Sequence, residues 1–156
     1  MKKSNSACIK LLVLDFDGVL TNNTVIVDEN GKESVICNRS DGLAIEMFKK
    51  KGVEVIVLSR EKNKVVKFRC EKLKISCIQG ITNKLDVLKK ETNKRGLSST
   101  EIGFVGNDIN DLECIKYSGL GIVVKDAFPE VKEIADFITQ KKGGEGVLHE
   151  IYNLLN

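Results

Sequence analysis

No stretch of this chain approaches the roughly 18 consecutive apolar residues that a membrane span requires, so no membrane segment is expected. Met1-Lys2-Lys3 opens like the basic head of a secretory leader, but the apolar run behind it is broken by Lys10 and ends in two aspartates, as a leader does not. The five cysteines, Cys8, Cys37, Cys70, Cys77 and Cys114, form no Cys-x-x-Cys pair, and several sit in apolar runs. They read as small core side chains in a reducing compartment, and the expected location is the cytoplasm. Histidine occurs once, at His149, with no partner at metal-ligand spacing, and is assigned to the surface. A formal net charge of +3, with no basic run interleaved with aromatics, argues against a nucleic-acid partner. Repeats, linkers and low-complexity segments are also missing, so residues 1–156 are read as a single domain, long enough for a proper core.

What is present is organised around Ile9 to Thr21. The nearly all-apolar Ile9-Lys10-Leu11-Leu12-Val13-Leu14 has the signature of a strand buried on both faces of a parallel sheet. Asp15-Phe16-Asp17-Gly18-Val19-Leu20-Thr21 follows at its carboxyl end, where open α/β sheets bind ligands. Two carboxylates two positions apart share a face on a straight strand. A turn is therefore needed for one to face a reactant while the other reaches its flank, and Gly18 tolerates that turn. Asp-Phe-Asp-Gly alone is equally a solvated strand terminator. However, Ser59, Lys84 and Gly106-Asn107-Asp108 each follow another apolar run or open the helix after one.

Along the rest of the chain, Thr24-Val25-Ile26-Val27-Asp28 and Glu33-Ser34-Val35-Ile36-Cys37 flank Asn30-Gly31, a strong hairpin signal. The hairpin is expected to act as a flap beside the acid pair. A helix capped by Ser40 or Asp41 precedes the strand Val53–Leu58. The interval is too short for an independent cap domain. A helix from Lys62 to Leu73 turns Val65, Val66, Cys70 and Leu73 inward and brings Glu61, Arg69 and Lys72 to one side. That side is either a solvated face with intrahelical ion pairs or a substrate patch. Ser76-Cys77-Ile78, Glu101–Val105, Leu120–Val124 and Ala135–Thr139 are further strands, Lys84 and Pro129 open helices, and an amphipathic helix with Val147, Leu148, Ile151, Leu154 and Leu155 closes the chain. The expected fold is α/β: a doubly wound, mainly parallel Rossmann-like sheet with helices on both faces, a β-hairpin flap and no cap domain.

Asp15-Phe16-Asp17-Gly18-Val19-Leu20-Thr21, Val57-Leu58-Ser59, Lys84 and Gly106-Asn107-Asp108-Ile109-Asn110-Asp111 resemble, in order, the four motifs of the haloacid dehalogenase superfamily of phosphatases. The resemblance implies phosphate-monoester hydrolysis through an aspartyl-phosphate, with Mg²⁺ as cofactor. Asp15 would be the nucleophile and Asp17 the acid and base. Ser59 and Lys84 would hold the phosphoryl oxygens. Asp15, Asp17, Asn107 and Asp108 would supply the metal site, with Gly18, Thr21 and Asp111 in support. Asn107 stands where many relatives carry Asp, one negative charge fewer for a metal.

The short insert, the Asp-Gly-Val-Leu-Thr start, Asp41-Gly42, Gln79-Gly80-Ile81 and Gly143-Gly144-Glu145-Gly146 are similar to the capless branch acting on ulosonic-acid phosphates. That branch implies a homotetramer in which a neighbouring subunit completes the site, and gives Arg60, Glu61, Arg69 and Lys72 a role in reading a sugar-acid phosphate. Ser59-Arg60-Glu61, in place of Thr-Gly-Arg, favours a nine-carbon, sialic-acid-type 9-phosphate over 3-deoxy-octulosonate 8-phosphate. Leu58-Ser59-Arg60-Glu61-Lys62-Asn63 resembles the phosphatase-like domain of some acylneuraminate cytidylyltransferases.

Two readings from other classes compete. A signalling receiver also uses Asp, Ser or Thr, Lys and Mg²⁺, but its phosphorylated Asp ends a middle strand, whereas here that strand stops at Ser59. A catalytically weak scaffold or regulatory module draws support only from Asn107.

Overall fold

The computed structural model describes residues 9–156. The opening Met1-Lys2-Lys3 and Cys8, on which part of the compartment argument rested, lie outside the described residues. β1 (Leu11–Leu14) is the axis of the molecule, and all four of its side chains are fully buried. A short strand can be apolar on both faces only if layers cover both faces. Helices supply those layers, and the sheet itself is completed by β4 (Glu54–Leu58), β5 (Ser76–Ile78), β6 (Ile102–Gly106), β7 (Leu120–Val123) and β8 (Phe137–Ile138). The sheet runs β5-β4-β1-β6-β7-β8, with every pairing parallel.

From β1 the chain winds outward through β4 to β5, then returns across the sheet to β6 and winds the other way to β8. The order therefore reverses between β1 and β6. At such a switch point the loops leaving two adjacent strands diverge and open a crevice. Leu14 pairs with Val57 on one side and Val105 on the other, so Asp15, Ser59 and Asn107 all leave the sheet within one residue of the same level.

Right-handed crossovers carry α1 (Ser40–Lys50) and α2 (Lys64–Leu73) over one face, and α3 (Lys84–Lys94), α4 (Leu112–Tyr117) and α5 (Pro129–Lys132) over the other. The closing helix α6 (Val147–Leu154) buries Val147, Leu148 and Ile151 and packs beside α1. Between β1 and β4 the chain adds only α1 and a separate two-stranded hairpin, β2 (Ile26–Val27) with β3 (Glu33–Ser34). The flap expected from Asn30-Gly31 is present and no cap domain interrupts the chain. Thr21 and Cys37 form an antiparallel bridge at its root.

Several local expectations are corrected. Ser40 and Asp41 do not cap α1, because both lie inside it and Asn38 Oδ1 instead accepts from the Ser40 N–H and hydroxyl. α2 starts at Lys64, with Asn63 as its N-cap accepting from Val65 N, so Glu61 is not on the helix. His149 is half-buried with its Nδ1 enclosed, rather than on the surface. The cysteines Cys37, Cys70, Cys77 and Cys114 are free thiols, only Cys70 and Cys114 being fully buried. Among the described residues no helix is long and apolar enough to cross a membrane.

Candidate active site

Asp15 ends β1 and is 6% exposed, its N–H held by the Val105 carbonyl. The chain then turns at once, with Gly18 at φ +87°, a conformation that costs an L residue about 1–2 kcal/mol. A Cβ at Gly18 would also collide with the Asn107 amide. Thr21, fully buried, accepts from the Gly18 N–H at 3.1 Å and from the Asn23 N–H at 3.2 Å, which ties the turn to the root of the flap. From behind, Gly143 presses so close to the Gly18 carbonyl that no side chain would fit between them, and Gly144 N donates to Val19 O.

Lys84, at the start of α3, is buried, and its Nζ lies 2.7 Å from Asp15 Oδ1 and 2.7 Å from Asp111 Oδ1. Asn110 Oδ1 also accepts from it at 3.3 Å. Asp111 Oδ2 accepts from the N–H groups of Asn107 (3.0 Å) and Asp108 (3.2 Å). One fully buried carboxylate thus shapes the loop after β6 and orients the lysine. Two buried carboxylates against one ammonium leave the centre anionic. Burial and Asp111 push the Asp15 carboxyl up to about 7, Lys84 notwithstanding. Burial pulls the Lys84 ammonium down, but Asp15 and Asp111 more than offset it, and its pKa ends above the ordinary value. Asp17 is half-buried and raised, first by burial and then by Glu61.

Asn107 Oδ1 faces two other oxygens, the Asp17 carbonyl at 3.0 Å and Asp15 Oδ2 at 3.1 Å. Three converging oxygens with no proton between them repel, unless the amide rotates to donate or a cation sits among them. Mg²⁺ takes octahedral oxygen ligands at about 2.0–2.1 Å, so adjacent ligands stand roughly 3 Å apart. The spacing fits. Among the described residues no group of three or more His, Cys, Asp or Glu side chains forms a metal cluster. The cradle is instead a carboxylate, an amide and a backbone carbonyl, hard donors that suit Mg²⁺. Asp108 lines the same cavity, and its Oδ1 accepts from the Ile109 N–H at 2.6 Å.

Ser59 is buried and pinned between strands, its N–H donating to Ile78 O. Its Oγ accepts from the Glu61 N–H at 3.1 Å, which leaves the hydroxyl proton free to donate. Asp15, Asp17, Ser59, Lys84, Asn107 and Asp108 line one cavity of about 130 Å³, together with Arg60, Glu61, Asn23 and Asn110. The last two were not singled out from sequence. Asn110 lies inside the Gly106–Asp111 segment and was within reach of a motif argument, whereas Asn23, on the flap side of Thr21, carries no local signal.

The four residues expected to read substrate do not meet in one place. Arg60 and Glu61 belong to the catalytic cavity, with the Glu61 carboxylate accepting from the Lys62 and Asn63 N–H groups. Arg69 and Lys72 line a second cavity of about 410 Å³ with Arg39. Arg69 Nη2 donates to Asn38 O at 2.9 Å. The helical-wheel grouping failed because the chain leaves helical geometry before Asn63.

A family model described as haloacid dehalogenase-like hydrolase matches residues 59–151. The 3-deoxy-D-manno-octulosonate 8-phosphate phosphatase KdsC of Escherichia coli K12 is 34% identical over 148 residues, covering 94% of this chain and 79% of that protein. Among solved structures, the Moraxella catarrhalis 3-deoxy-D-manno-octulosonate 8-phosphate phosphatase, in complex with magnesium, phosphate and KDO, superposes with a TM-score of 0.92 at 30% identity over 96% of this chain and 87% of that one. The cobalt-bound deoxy-D-mannose-octulosonate 8-phosphate phosphatase of Haemophilus influenzae gives 0.91 at 27%, over 96% and 88%. With the paired aspartates, the lysine and the oxygen cradle assembled at one switch point, the chain belongs to the haloacid dehalogenase-like hydrolases, among their phosphatases.

Proposed function

We propose that this protein is a Mg²⁺-dependent phosphomonoesterase that hydrolyses a sugar-acid phosphate through an aspartyl-phosphate. The observation that carries the reading is the convergence on one cavity of Asp15 bonded to Lys84, half-buried Asp17, and the oxygens of Asp15, Asp17 and Asn107. Asp15 Oδ2, the Asp17 carbonyl and Asn107 would hold Mg²⁺, which would supply the charge that lets a carboxylate and a phosphate dianion approach. Asp15 Oδ1, aimed by Lys84, forms the bond to phosphorus as the ester P–O bond breaks. Asp17, whose pKa burial and Glu61 raise above the ordinary carboxylate value, gives its proton to the leaving alkoxide as the general acid. It then takes a proton from water, whose oxygen attacks phosphorus and expels Asp15, releasing inorganic phosphate. The Ser59 hydroxyl and the Lys84 ammonium donate to the non-bridging oxygens as charge spreads over them.

For the substrate, 3-deoxy-octulosonate 8-phosphate now has the stronger support, since relatives named for it match nearly the whole chain. The nine-carbon 9-phosphate stays as a second reading on one observation, Arg60-Glu61 in the cavity wall. Assembly into a homotetramer is supported by the apolar flap, where Val25, Ile26, Val27 and Ile36 are all more than half exposed. In such an assembly the Arg69 and Lys72 of a neighbouring subunit, which do not line this chain's own catalytic cavity, would be the groups that complete it. The free thiols suit a reducing cytoplasm.

The test is phosphate release, with Mg²⁺ and with EDTA, from the eight-carbon and nine-carbon sugar-acid phosphates and from hexose phosphates. Mg²⁺-dependent preference for a sugar acid, abolished in Asp15→Asn, is expected. Release from hexose phosphates alone would refute the substrate class. No release at all would favour the weak-scaffold reading.

A further inference from the structure

Asn23 is one of two non-glycine residues at positive φ among the described residues, at +64°. The other, Lys74, is the left-handed C-cap of α2, a common use of that conformation. Asn23 terminates no helix. It follows the nucleophile turn, its N–H held by Thr21 Oγ1 at 3.2 Å, while on either side of its backbone Asn22 Oδ1 accepts from the Thr24 N–H and hydroxyl. Neighbouring hydrogen bonds over-determine the strained backbone, as where strain serves a site. The consequence is spatial: the exposed side chain lines the catalytic cavity at its flap side.

Two of the polar groups beside it in that cavity are already engaged within the protein. Asn110 Oδ1 accepts from Lys84, and the Glu61 carboxylate accepts from two N–H groups. Among the described residues, the Asn23 amide has no hydrogen-bond partner. An amide offers a donor and an acceptor side by side, the complement of two neighbouring hydroxyls. With the phosphoryl group at Asp15 and Lys84, the carbons next to the ester extend toward the other residues that line this cavity, Asn23 among them.

We infer that Asn23 is a specificity-determining residue that hydrogen-bonds the hydroxylated carbons adjacent to the phosphate ester. The inference rests on the phosphatase reading above and adds to it the residue on this chain that distinguishes a polyol phosphate from a plain one.

The experiment is Asn23→Gly, which removes the amide while accepting φ +64° without strain. The ratio of kcat/KM for the preferred sugar-acid phosphate to that for p-nitrophenyl phosphate is expected to fall about 3- to 10-fold, the range of one or two neutral hydrogen bonds. The loss should lie in KM for the sugar substrate, with the thermal midpoint equal to or above wild type. An unchanged ratio, or a loss shared equally by both esters, would overturn the assignment. If wild type instead prefers another hydroxylated ester, the substrate reading fails and the same ratio on that ester decides the role of Asn23. Absence of turnover on every ester would overturn both.

Discussion

Asp41 should make this protein less stable as the pH rises, and Asp41→Asn should remove that dependence. The side chain is 1% exposed, and neither carboxylate oxygen meets a donor at full hydrogen-bonding geometry. Burial raises its pKa from 3.8 to about 6, with the Leu148 N–H, Arg69 and Lys141 offsetting only part. The native state therefore holds this proton up to about pH 6, whereas the unfolded chain releases it near 4, so between those values stability falls with pH. At roughly 1.4 kcal/mol per unit, the full loss is on the order of 3 kcal/mol. Asn keeps the shape but cannot titrate. Its buried amino group adds a penalty that is the same at every pH, so only the change in the gap between variant and wild type matters. Urea denaturation at pH 4 and pH 8 measures it. The variant should gain about 3 kcal/mol on wild type across that interval, a relative midpoint shift of roughly 1–3 M at common urea slopes. A gap that stays constant would refute the reasoning, and a gap that closes in the opposite direction would mean that Arg69 and Lys141 outweigh burial.

Asp17→Asn should lose about 10²- to 10⁴-fold in kcat while still binding phosphate and Mg²⁺ by calorimetry, because its contribution to the cradle is a backbone carbonyl; wild-type turnover would sink the acid/base role. Gly18→Ala should fold but bind Mg²⁺ more weakly, since the new methyl displaces the Asn107 amide, and an unchanged Mg²⁺ activation curve would contradict that geometry. Asn107→Asp adds a negative charge to the cradle and should lower the Mg²⁺ concentration for half-maximal activity; no change would place the metal elsewhere. Arg69→Ala and Lys72→Ala should raise KM for a sugar-acid phosphate more than for p-nitrophenyl phosphate. Equal effects on both would leave these residues outside substrate reading.

Much of the fold was legible because it is written in local periodicity. An apolar run such as Leu11–Leu14 can only be a strand covered on both faces, Asn30-Gly31 between β-rich segments specifies a hairpin, and Pro129 and Gly96 mark a helix start and stop. Strand ends carrying Asp15, Ser59 and Asn107 were visible for the same reason, since polar residues at the close of buried runs stand out against them. The boundaries that failed, at Ser40 and before Asn63, are places where a side chain hydrogen bond decides the backbone conformation, and such bonds depend on the partner in space.

The sequence by itself thus determined the strands, the helices between them and the chemical types gathered at their carboxyl ends. Only the tertiary structure decided which of those groups meet. Reversal of strand order between β1 and β6 brings Asp15 against Asn107, and the return through α3 lays Lys84 between Asp15 and Asp111. Arg69 and Lys72, three residues apart, go to a different cavity from Glu61, and Asn23 reaches the catalytic one. The physical reason is range. A strand or helix is specified by contacts a few residues away, whereas a site is specified by register and crossover between segments that the chain separates by tens of residues.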